Sequence, residues 1–422
     1  MTVSKFPLLI IFCAALTSGL RLAGSEPAAT GPTGEKLTLP AALAEAVAQS
    51  PALRVIDAEV ESARGEVQTA GIRPNPELTF APGIKHIREG DGSHNEFKGT
   101  IELSRTFIFP GKQELLVSIA ERNVELRQLG IEGLRFQLSA AVRKVFYELL
   151  VAQNVVGLRQ QQLESAQVFH QAATKRAEAG YASDFEAVKA QGEVINARKL
   201  LQTAENEIAA ARVELNGLLG RDPSAPLEVA GTLEDTGATR PMSDLITLAL
   251  AQNPSLRVQA MQADLAGMNV RKARLARKPD FTVGPSLEYS KSEQILGISA
   301  TVPLPSKNYG QGEILTATAE QRKVLAETDA LRREITGAVA RAATQLTGAR
   351  AQLALYSSAY LDQLKVVVEQ AELSYAQNAT SLLIYLDAKR AYFDTLADYH
   401  EAIASVATAH AELESAVGAP LQ

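Results

Sequence analysis

The sequence predicts a mainly α protein with a small β part, in which long coiled helices and two β-hairpins are internally duplicated. Three observations support this prediction. Two stretches, 111–222 and 306–419, contain no proline and are rich in Ala, Glu, Gln, Leu and Arg. Proline inside a helix removes a hydrogen bond and clashes with the preceding turn, so its long absence permits long helices. Ahead of each stretch the apolar residues alternate with a period of two, and the whole order occurs twice.

Composition and charge exclude several classes of protein. The formal net charge is −6 and the pI is near 5.6, so the chain lacks the basic footprint of a nucleic-acid-binding protein. The chain has no tryptophan and only 5% aromatic residues, which argues against a conventional large globular core. Cys13 is the single cysteine, which excludes an internal disulfide framework and a cysteine zinc cluster.

Residues 1–25 are predicted to be a signal peptide. Lys5 supplies a positive charge, the apolar run 6–16 follows, and small residues at 17–19 and 23–25 offer cleavage sites. Cys13 is either a lipoprotein cysteine or is removed with the signal, and the bulky Phe12 favours removal. Beyond this segment the sequence has no apolar run of 18 or more residues, so any membrane crossing is predicted to use strands.

After a flexible leader at 26–36, the chain divides into a first repeat at 37–222, a linker at 223–240 and a second repeat at 241–419. Segment 46–55 returns about 200 residues later as segment 249–258. In each copy a short helix is expected to end at Ser or Asn. The proline that follows is expected to begin a second helix.

Each repeat then contains a predicted β-hairpin, at 76–109 and 279–303. Apolar and polar residues alternate over two strands of about ten residues. Polar loops are expected at 86–95 and 290–294. Arg105 breaks the alternation of the first hairpin.

A very long helix is predicted after each hairpin, followed by one break and a further helix. From Lys112 to Arg176 the helix would be about 100 Å long, at 1.5 Å per residue. The breaks are expected at 180–183 and 378–381, where Ser183 and Ser381 are suitable N-caps. The helices after Pro51 and Ser183, about 30 and 55 Å long, nearly match the long helix when laid end to end. Heptad-like seams of apolar residues run along Leu134, Leu138, Val142, Val145, Leu149, Ala152 and Val156, and along Leu382, Leu386, Phe393, Leu396, Ile403, Val406, Leu413 and Val417.

The hairpins have two interpretations. Strands of this length with one apolar face fit the outer-membrane pattern, whereas soluble hairpins would pack that face on helices. Export, and the lack of helical sequence apolar enough to cover the strands, favour the membrane. Four strands are too few to close a barrel and an open edge cannot exist in hydrocarbon, so the membrane interpretation requires oligomerisation. Two protomers would give eight strands and three would give twelve.

The duplicated order, the Ala-x-x-x-(Ser/Asn)-Pro-x-Leu turns and segments 180–191 and 378–389 resemble the TolC-like outer-membrane efflux factors. The resemblance covers essentially the whole mature chain. Segments 109–112 and 302–305 are similar to the CzcC-like branch, which is associated with heavy-metal efflux.

This resemblance implies a homotrimer with a twelve-stranded β-barrel in the outer-membrane lipid of a Gram-negative-type bacterium. A twelve-helix α-barrel would continue it into the periplasm. The molecule would be the passive exit duct of a tripartite efflux or secretion system. Its iris-like inner end would open when a periplasmic adaptor (membrane fusion) protein and an inner-membrane pump of RND type dock. No cofactor and no enzymatic activity are implied, because the pump supplies the energy.

The resemblance also implies an acidic constriction just after the helix breaks, where Glu186 and Asp387 match the family's positions. Ile384 occupies the other acidic position of the second repeat, so the number of acidic layers stays open. Three copies of Asp387 around an axis would form a negative ring that favours cations. Alternatively, both residues are solvated carboxylates near helix N-termini, where negative charge is favourable.

Three further residues lie beside the same breaks: Tyr375, Thr380 and Arg176. They are candidates for the interhelix contacts that hold the closed state. For Tyr375 the alternative is ordinary seam packing.

The sequence contains no recognisable catalytic or metal motif. Five histidines are present, but none has an i, i+4 partner or a His-Glu-x-x-His context, and His86 and His94 are expected on an extracellular loop. Nucleophile-elbow, P-loop and dinucleotide motifs are lacking. The competing hypothesis is a soluble periplasmic coiled-coil adaptor or scaffold. The cargo, whether metal ions or organic compounds, is left open.

Overall fold

The computed structural model describes residues 36–421, apart from 91, 181–182, 232–239, 292, 305–306, 308 and 378. The predicted signal peptide with Cys13, and the leader up to residue 35, lie outside the described residues. The predicted limits of the repeats and of the linker remain predictions. Within the linker, Leu227 and Val229 are buried among helical residues of the first repeat, and Val229 pairs with Leu37 through an isolated bridge.

The prediction of a mainly α fold with a small β part is confirmed. In the first half the elements are α1 (Leu39–Gln49), α2 (Pro51–Gly71), β1 (Glu77–Glu89), β2 (Gly92–Phe107), α3 (Lys112–Glu178) and α4 (Asp184–Leu219). In the second half they are α5 (Met242–Gln252), α6 (Pro254–Ala276), β3 (Phe281–Ser290), β4 (Gln294–Thr301), α7 (Gln311–Leu353), α8 (Ser358–Ala376) and α9 (Leu382–Val417). Among these helices, none combines the length and the apolar character that a membrane span requires.

The turns between the two short helices of each half follow the predicted chemistry. Ser50 caps α2 by accepting a hydrogen bond from the backbone N–H of Leu53 at 3.4 Å. Asn253 caps α6 in the same way, at 3.4 Å from the N–H of Leu256, and its amide also donates to the carbonyl of Ala416 at 3.1 Å. Since a cap satisfies a helix-terminal N–H that otherwise lacks a partner, these residues end one helix and begin the next.

The two hairpins join into one antiparallel sheet with the order β1-β2-β3-β4. The predicted loop at 290–294 agrees with the structure, but the predicted loop at 86–95 is wrong. There the strands continue to Glu89 and Gly92, and His86 pairs with Asn95, with 2.6 Å between the Nδ1 and Oδ1 atoms. His86 and His94 therefore lie in strands. Polar composition failed to mark a loop because an exposed hairpin end can carry polar residues on both faces.

The long helix of the first half is unbroken, as predicted: α3 has 67 residues. The prediction of a single break is wrong in the second half, where α7 ends at Leu353 and α8 begins at Ser358. Ser357 accepts a hydrogen bond from the backbone N–H of Tyr360 at 3.3 Å and so starts a new helix. Leu355, within the break, is 74% exposed. Burial of this side chain therefore does not favour a continuous helix at this point.

Most of the predicted seam residues form the core. Val142, Val145 and Leu149 are buried in a cluster with α1 and α4, and Leu138, Ala152 and Val156 pack against it. In the second half, Val406, Leu413 and Val417 are buried against α5 and α7. The halves are joined where α3 contacts α9, and there Arg143 forms an ion pair with the buried Glu414.

Candidate functional site

The two predicted helix breaks lie side by side and form the candidate site. The first break joins α3 to α4, and Gly180 within it has a φ of +72°, a left-handed conformation that a glycine adopts without strain. Ser183 and Ser381 occupy the predicted N-cap positions of α4 and α9. The Oγ atom of Ser381 accepts a hydrogen bond from the backbone N–H of Ile384 at 3.5 Å and so caps α9. The Ser183 side chain forms no such bond to α4.

Helices α3, α4, α8 and α9 meet in an apolar cluster beside the breaks. We call it the turn cluster; its members are Phe169, Ala173, Ala190, Tyr375, Leu382, Tyr385 and Leu386. The rings of Tyr375 and Tyr385 stack at 5.6 Å with an interplanar angle of 9°. Phe169 lies 5.6 Å from the first ring and 5.0 Å from the second. Aromatic pairs prefer particular ring geometries and contribute about 0.5–1.5 kcal/mol beyond the burial of their surface.

Within this cluster, Tyr375 contacts two of the other residues predicted for the gate. Its hydroxyl donates a hydrogen bond to Oε2 of Glu186 at 2.8 Å, and the guanidinium of Arg176 lies 5.1 Å from its ring centre. Burial and the bond to Glu186 raise the pKa of Tyr375 to about 12. The hydroxyl therefore stays protonated, and remains a donor, across the physiological pH range. Because α4 carries Glu186 and α8 carries Tyr375, this bond ties the two halves together at their breaks.

A second polar contact lies next to the stacked rings. Lys389 donates to the hydroxyl of Tyr385 at 2.7 Å, and its ammonium lies 5.1 Å from the centre of the same ring. Burial lowers the pKa of Lys389, and burial raises the pKa of Tyr385 above its ordinary value. Both shifts have the same cause, since the apolar surroundings disfavour the charged form of each group.

Ion pairs between helices surround the turn cluster. Arg390 of α9 pairs with Glu193 of α4, with 2.9 Å between Nε and Oε2. Further along, Arg159 of α3 contacts Asp394 of α9 at 3.2 Å. The hydrogen bond to Glu193 raises the pKa of Arg390, and the charge of Asp387 adds to that effect.

The two remaining predicted residues lie outside these contacts. Asp387 is exposed on α9, and its charge acts on Arg390, but among the described residues its carboxylate forms no hydrogen bond or ion pair. Thr380 is half-buried directly before Ser381, the N-cap of α9, and its side chain makes no hydrogen bond to any residue that the structure describes. The structure thus brings Glu186, Tyr375 and Arg176 together, whereas Asp387 and Thr380 do not join them.

Sequence reasoning missed Phe169, Tyr385 and Lys389. Tyr385 and Lys389 follow the predicted cap Ser381 by four and eight residues, and this spacing was the available signal, because it places both on one helix face. Phe169 gave no signal of its own. Its role depends on packing against helices some 200 residues away in sequence.

The sheet is the second feature of interest, because its apolar face has no covering element. On β1 and β2 the side chains of one face are 43–75% exposed. They are Leu78, Phe80, Ile84, Phe97, Ile101, Leu103 and Phe107. The paired positions of β3 and β4 continue this face with Phe281, Leu287, Tyr289, Leu296 and Ile298. We call it the outward face.

The opposite face of the sheet is polar and internally bonded. Lys98 forms an ion pair with Glu288 at 2.6 Å, and the hydroxyl groups of Thr106 and Thr282 are 2.9 Å apart. Ser299 donates a hydrogen bond to Glu102. Gly284 lies on this face where β3 approaches β2, and a Cβ there would overlap the backbone of Leu103 and Ser104. Only glycine permits that approach.

Among the described residues, no group of three or more His, Cys, Asp or Glu side chains has the arrangement of a metal site. His170 and His400 each have a buried Nδ1 atom without a hydrogen-bond partner. Burial lowers the pKa of His400, so this ring is expected to be neutral.

Comparisons with known proteins agree with this architecture. The family model described as outer membrane efflux protein matches the chain twice, over residues 42–221 and 245–419. The chain is 28% identical to the cobalt-zinc-cadmium resistance protein CzcC of Cupriavidus metallidurans, covering 86% of this chain and 85% of that protein. It is 21% identical to the probable outer membrane lipoprotein SilC of Salmonella typhimurium, covering 84% and 79%.

Solved structures show the same fold. The Campylobacter jejuni CmeC outer membrane channel superimposes with a TM-score of 0.73 at 16% identity, covering 90% of this chain and 85% of that channel. The Vibrio cholerae outer membrane protein VceC gives a TM-score of 0.70 at 16% identity, covering 91% and 97%. Because the family model covers most of the sequence in both halves, the chain belongs to the outer membrane efflux protein family.

Proposed function

We propose that this chain forms the passive exit duct of a tripartite efflux system and that its cargo is divalent heavy-metal cations. Three protomers would contribute four strands each to a twelve-stranded barrel and four helical columns each to a periplasmic tunnel. The observation that carries the proposal is the uncovered outward face. It belongs to a sheet whose edge strands, β1 and β4, have no strand partner on their outer sides among the described residues.

The dimensions of the outward face suit a bilayer. Along β2 the apolar residues of this face extend from Phe97 to Phe107, which are ten residues apart. At about 3.4 Å per residue this is roughly 34 Å along the strand, or about 25 Å across the membrane at the usual tilt. That height equals the apolar band of outer-membrane barrels. Open strand edges cannot persist in hydrocarbon, so further copies of the chain must close the sheet.

Exposed apolar residues on the helices support contact between copies. Helix α4 exposes Phe185, Val188 and Ile195 on one face, each by about two-thirds. Helix α8 exposes Val366, Val367 and Leu373 by about half or more. Since α4 and α8 belong to different halves of the chain, these surfaces could pair between neighbouring protomers around a ring. A periplasmic adaptor and an inner-membrane pump of RND type would dock at the inner end.

The helix breaks would form the gate of this duct. The bond between Tyr375 and Glu186 holds the breaks together within one protomer and so favours the closed state. Asp387 is exposed beside it, and three copies around the axis would form the negative ring that selects cations. Asp387→Ala should therefore raise single-channel conductance or lower cation selectivity in planar bilayers. Asp398→Ala, further along α9, is the matched control, and equal values for Asp387→Ala and the unmodified protein would remove Asp387 from the gate.

The cargo assignment is supported by the relative from Cupriavidus metallidurans, whose name states resistance to cobalt, zinc and cadmium. A strain that lacks this chain should become sensitive to these ions, and the intact gene should restore resistance. Dyes and detergents serve as the comparison compounds. Sensitivity to the organic compounds alone would contradict the metal cargo while leaving the exit duct intact. A water-soluble monomer that needs no detergent would contradict the duct itself and favour an adaptor.

A further inference from the structure

Arg105 interrupts the outward face with a positive charge. It follows Leu103 and precedes Phe107 on the exposed side of β2, and it pairs across the sheet with Val283. Among the described residues the guanidinium forms no ion pair, and the contact that the structure shows for it is with an aromatic ring. An arginine facing hydrocarbon is costly unless its head group reaches a polar partner.

The contact shows which way the side chain points. The guanidinium carbon of Arg105 lies 5.6 Å from the ring centre of Phe107, one row closer to the helical end of the sheet. Phe107 in turn stacks on Phe281, with ring centres 5.2 Å apart and planes inclined by 12°. The charged group is therefore directed away from the centre of the apolar band and towards its lower margin, as expected for a snorkelling arginine.

Further cations lie at the same margin. Arg73 precedes β1, Arg277 and Lys278 precede β3, and all three side chains are exposed. The ammonium of Lys278 lies 5.9 Å from the ring centre of Phe109, just beyond β2. The nearby carboxylate of Asp280 is already paired with Lys112 at 2.9 Å. The margin thus combines aromatic rings with a surplus of positive charge, which is complementary to an anionic head-group layer.

We propose that Arg105 binds the phosphate of a phospholipid in the periplasmic leaflet and thereby fixes the depth of the barrel in the membrane. Arginine presents a planar fork of donors that matches phosphate oxygens. A neighbouring protomer cannot be the partner, because β2 is flanked by β1 and β3 and its outward face lies away from the open edges. The inference rests on the proposed barrel, since only a membrane-embedded sheet presents this face to lipid.

Native mass spectrometry of the detergent-purified full-length protein, titrated with phosphatidylglycerol, tests this proposal. Arg105→Leu should bind the lipid about tenfold more weakly, because a charge-assisted contact is lost. Arg105→Lys should retain part of the affinity, because its charge remains but its fork does not. Diacylglycerol, which lacks the phosphate, should bind all variants equally. A leucine at this lipid-facing position should not impair folding.

The matched control is Arg88→Leu, on the same face of the sheet but near the opposite end of β1. It should leave the affinity unchanged. Equal losses in the two leucine variants would show a response to net charge alone and would overturn the proposal. Unchanged binding in Arg105→Leu would also overturn it, provided that the protein is trimeric and the proposed duct stands. A monomeric protein in detergent would instead contradict the duct.

Discussion

The two halves of this chain follow one plan but differ at the points where a moving part would be useful. In the first half, α3 is continuous over 67 residues, whereas the matching segment of the second half is divided into α7 and α8. Three residues after the N-cap of α4 the first half has Glu186, whereas three residues after the N-cap of α9 the second half has Ile384. Duplication has therefore supplied one rigid column and one jointed column from the same starting pattern.

The contacts between the halves show why this difference matters. Glu186 of α4 bonds to Tyr375 near the C-terminal end of α8, so the end of the jointed column that lies far from its joint is tied to the first half. A movement of α8 relative to the other three helices would have to break this bond and separate the ring of Tyr375 from the rings of Tyr385 and Phe169. We expect the second half to supply the movement and the first half to supply the frame.

The strongest destabilisation is expected on the polar face of the sheet, where one glycine of each hairpin can be compared. Gly284→Ala should destabilise the folded protein by about 3 kcal/mol or more, because the new Cβ meets backbone that cannot move aside. Gly83→Ala is the control, since its Cβ would lie 3.8 Å from the nearest atom, an ordinary contact. Thermal unfolding of the purified protein measures the stability of both variants. Similar losses in the two variants would contradict the close approach of β3 to β2.

The next effect concerns the bond that joins the halves. Tyr375→Phe keeps the ring stack but removes a hydrogen bond to a carboxylate, which contributes about 1.5–3 kcal/mol. The open probability in planar bilayers should therefore rise roughly tenfold. Tyr356→Phe is the matched control, because the hydroxyl of Tyr356 forms no hydrogen bond among the described residues. Equal open probabilities for Tyr375→Phe and the unmodified protein would show that this bond does not hold the gate.

The pH dependence of the same bond provides an independent check. The pKa of Tyr375 is raised to about 12, whereas tyrosine in an unfolded chain titrates near 10. A raised pKa means that the contribution to stability is complete below about pH 10 and is lost as the pH rises towards 12. The stability difference between the unmodified protein and Tyr375→Phe should thus be constant from about pH 6 to 9 and shrink above pH 10. If this stability difference changed between about pH 6 and 9, a titratable group other than the Tyr375 hydroxyl would be responsible.

The smallest effect tests the joint of the second half. Ser357→Ala removes the N-cap of α8 and should cost about 1 kcal/mol. Hydrogen exchange at the start of α8 should become about fivefold faster, with α3 unaffected. Ser358→Ala alters the first residue within α8, which does not cap the helix, and should change little. If the two variants exchange alike, the cap does not define the joint.

Much of the fold could be predicted because its signals are local. The caps at Ser50, Asn253 and Ser381 depend on side chains within three residues of the helix start. The apolar seams and the alternation of the strands depend on a fixed period. The break before Ser358 was missed because it contains neither proline nor glycine, and it arises from a cap where burial is weak.

The candidate site could be predicted only in part. Glu186 was predicted from a resemblance in sequence, and Tyr375 and Arg176 from their positions beside the predicted breaks. Their contacts, however, join helices that are far apart along the chain. The shifted pKa values of Tyr385 and Lys389 arise from burial among several helices. A local sequence pattern does not predict such burial. Arg105 was visible as a break in alternation, yet its direction became clear only from its position over Phe107.

Oxidative cross-linking between the two edge strands tests whether copies of the chain close the sheet. Phe80→Cys on β1 would be combined in turn with Leu296→Cys, Ile298→Cys and Ala300→Cys on β4, in protein whose single natural cysteine is Cys13. If copies of the chain close the sheet, at least one pair should give a covalent species of three chains under non-reducing denaturing conditions. If every pair yields only monomers, the edges do not meet and the account of a closed, lipid-facing barrel is wrong.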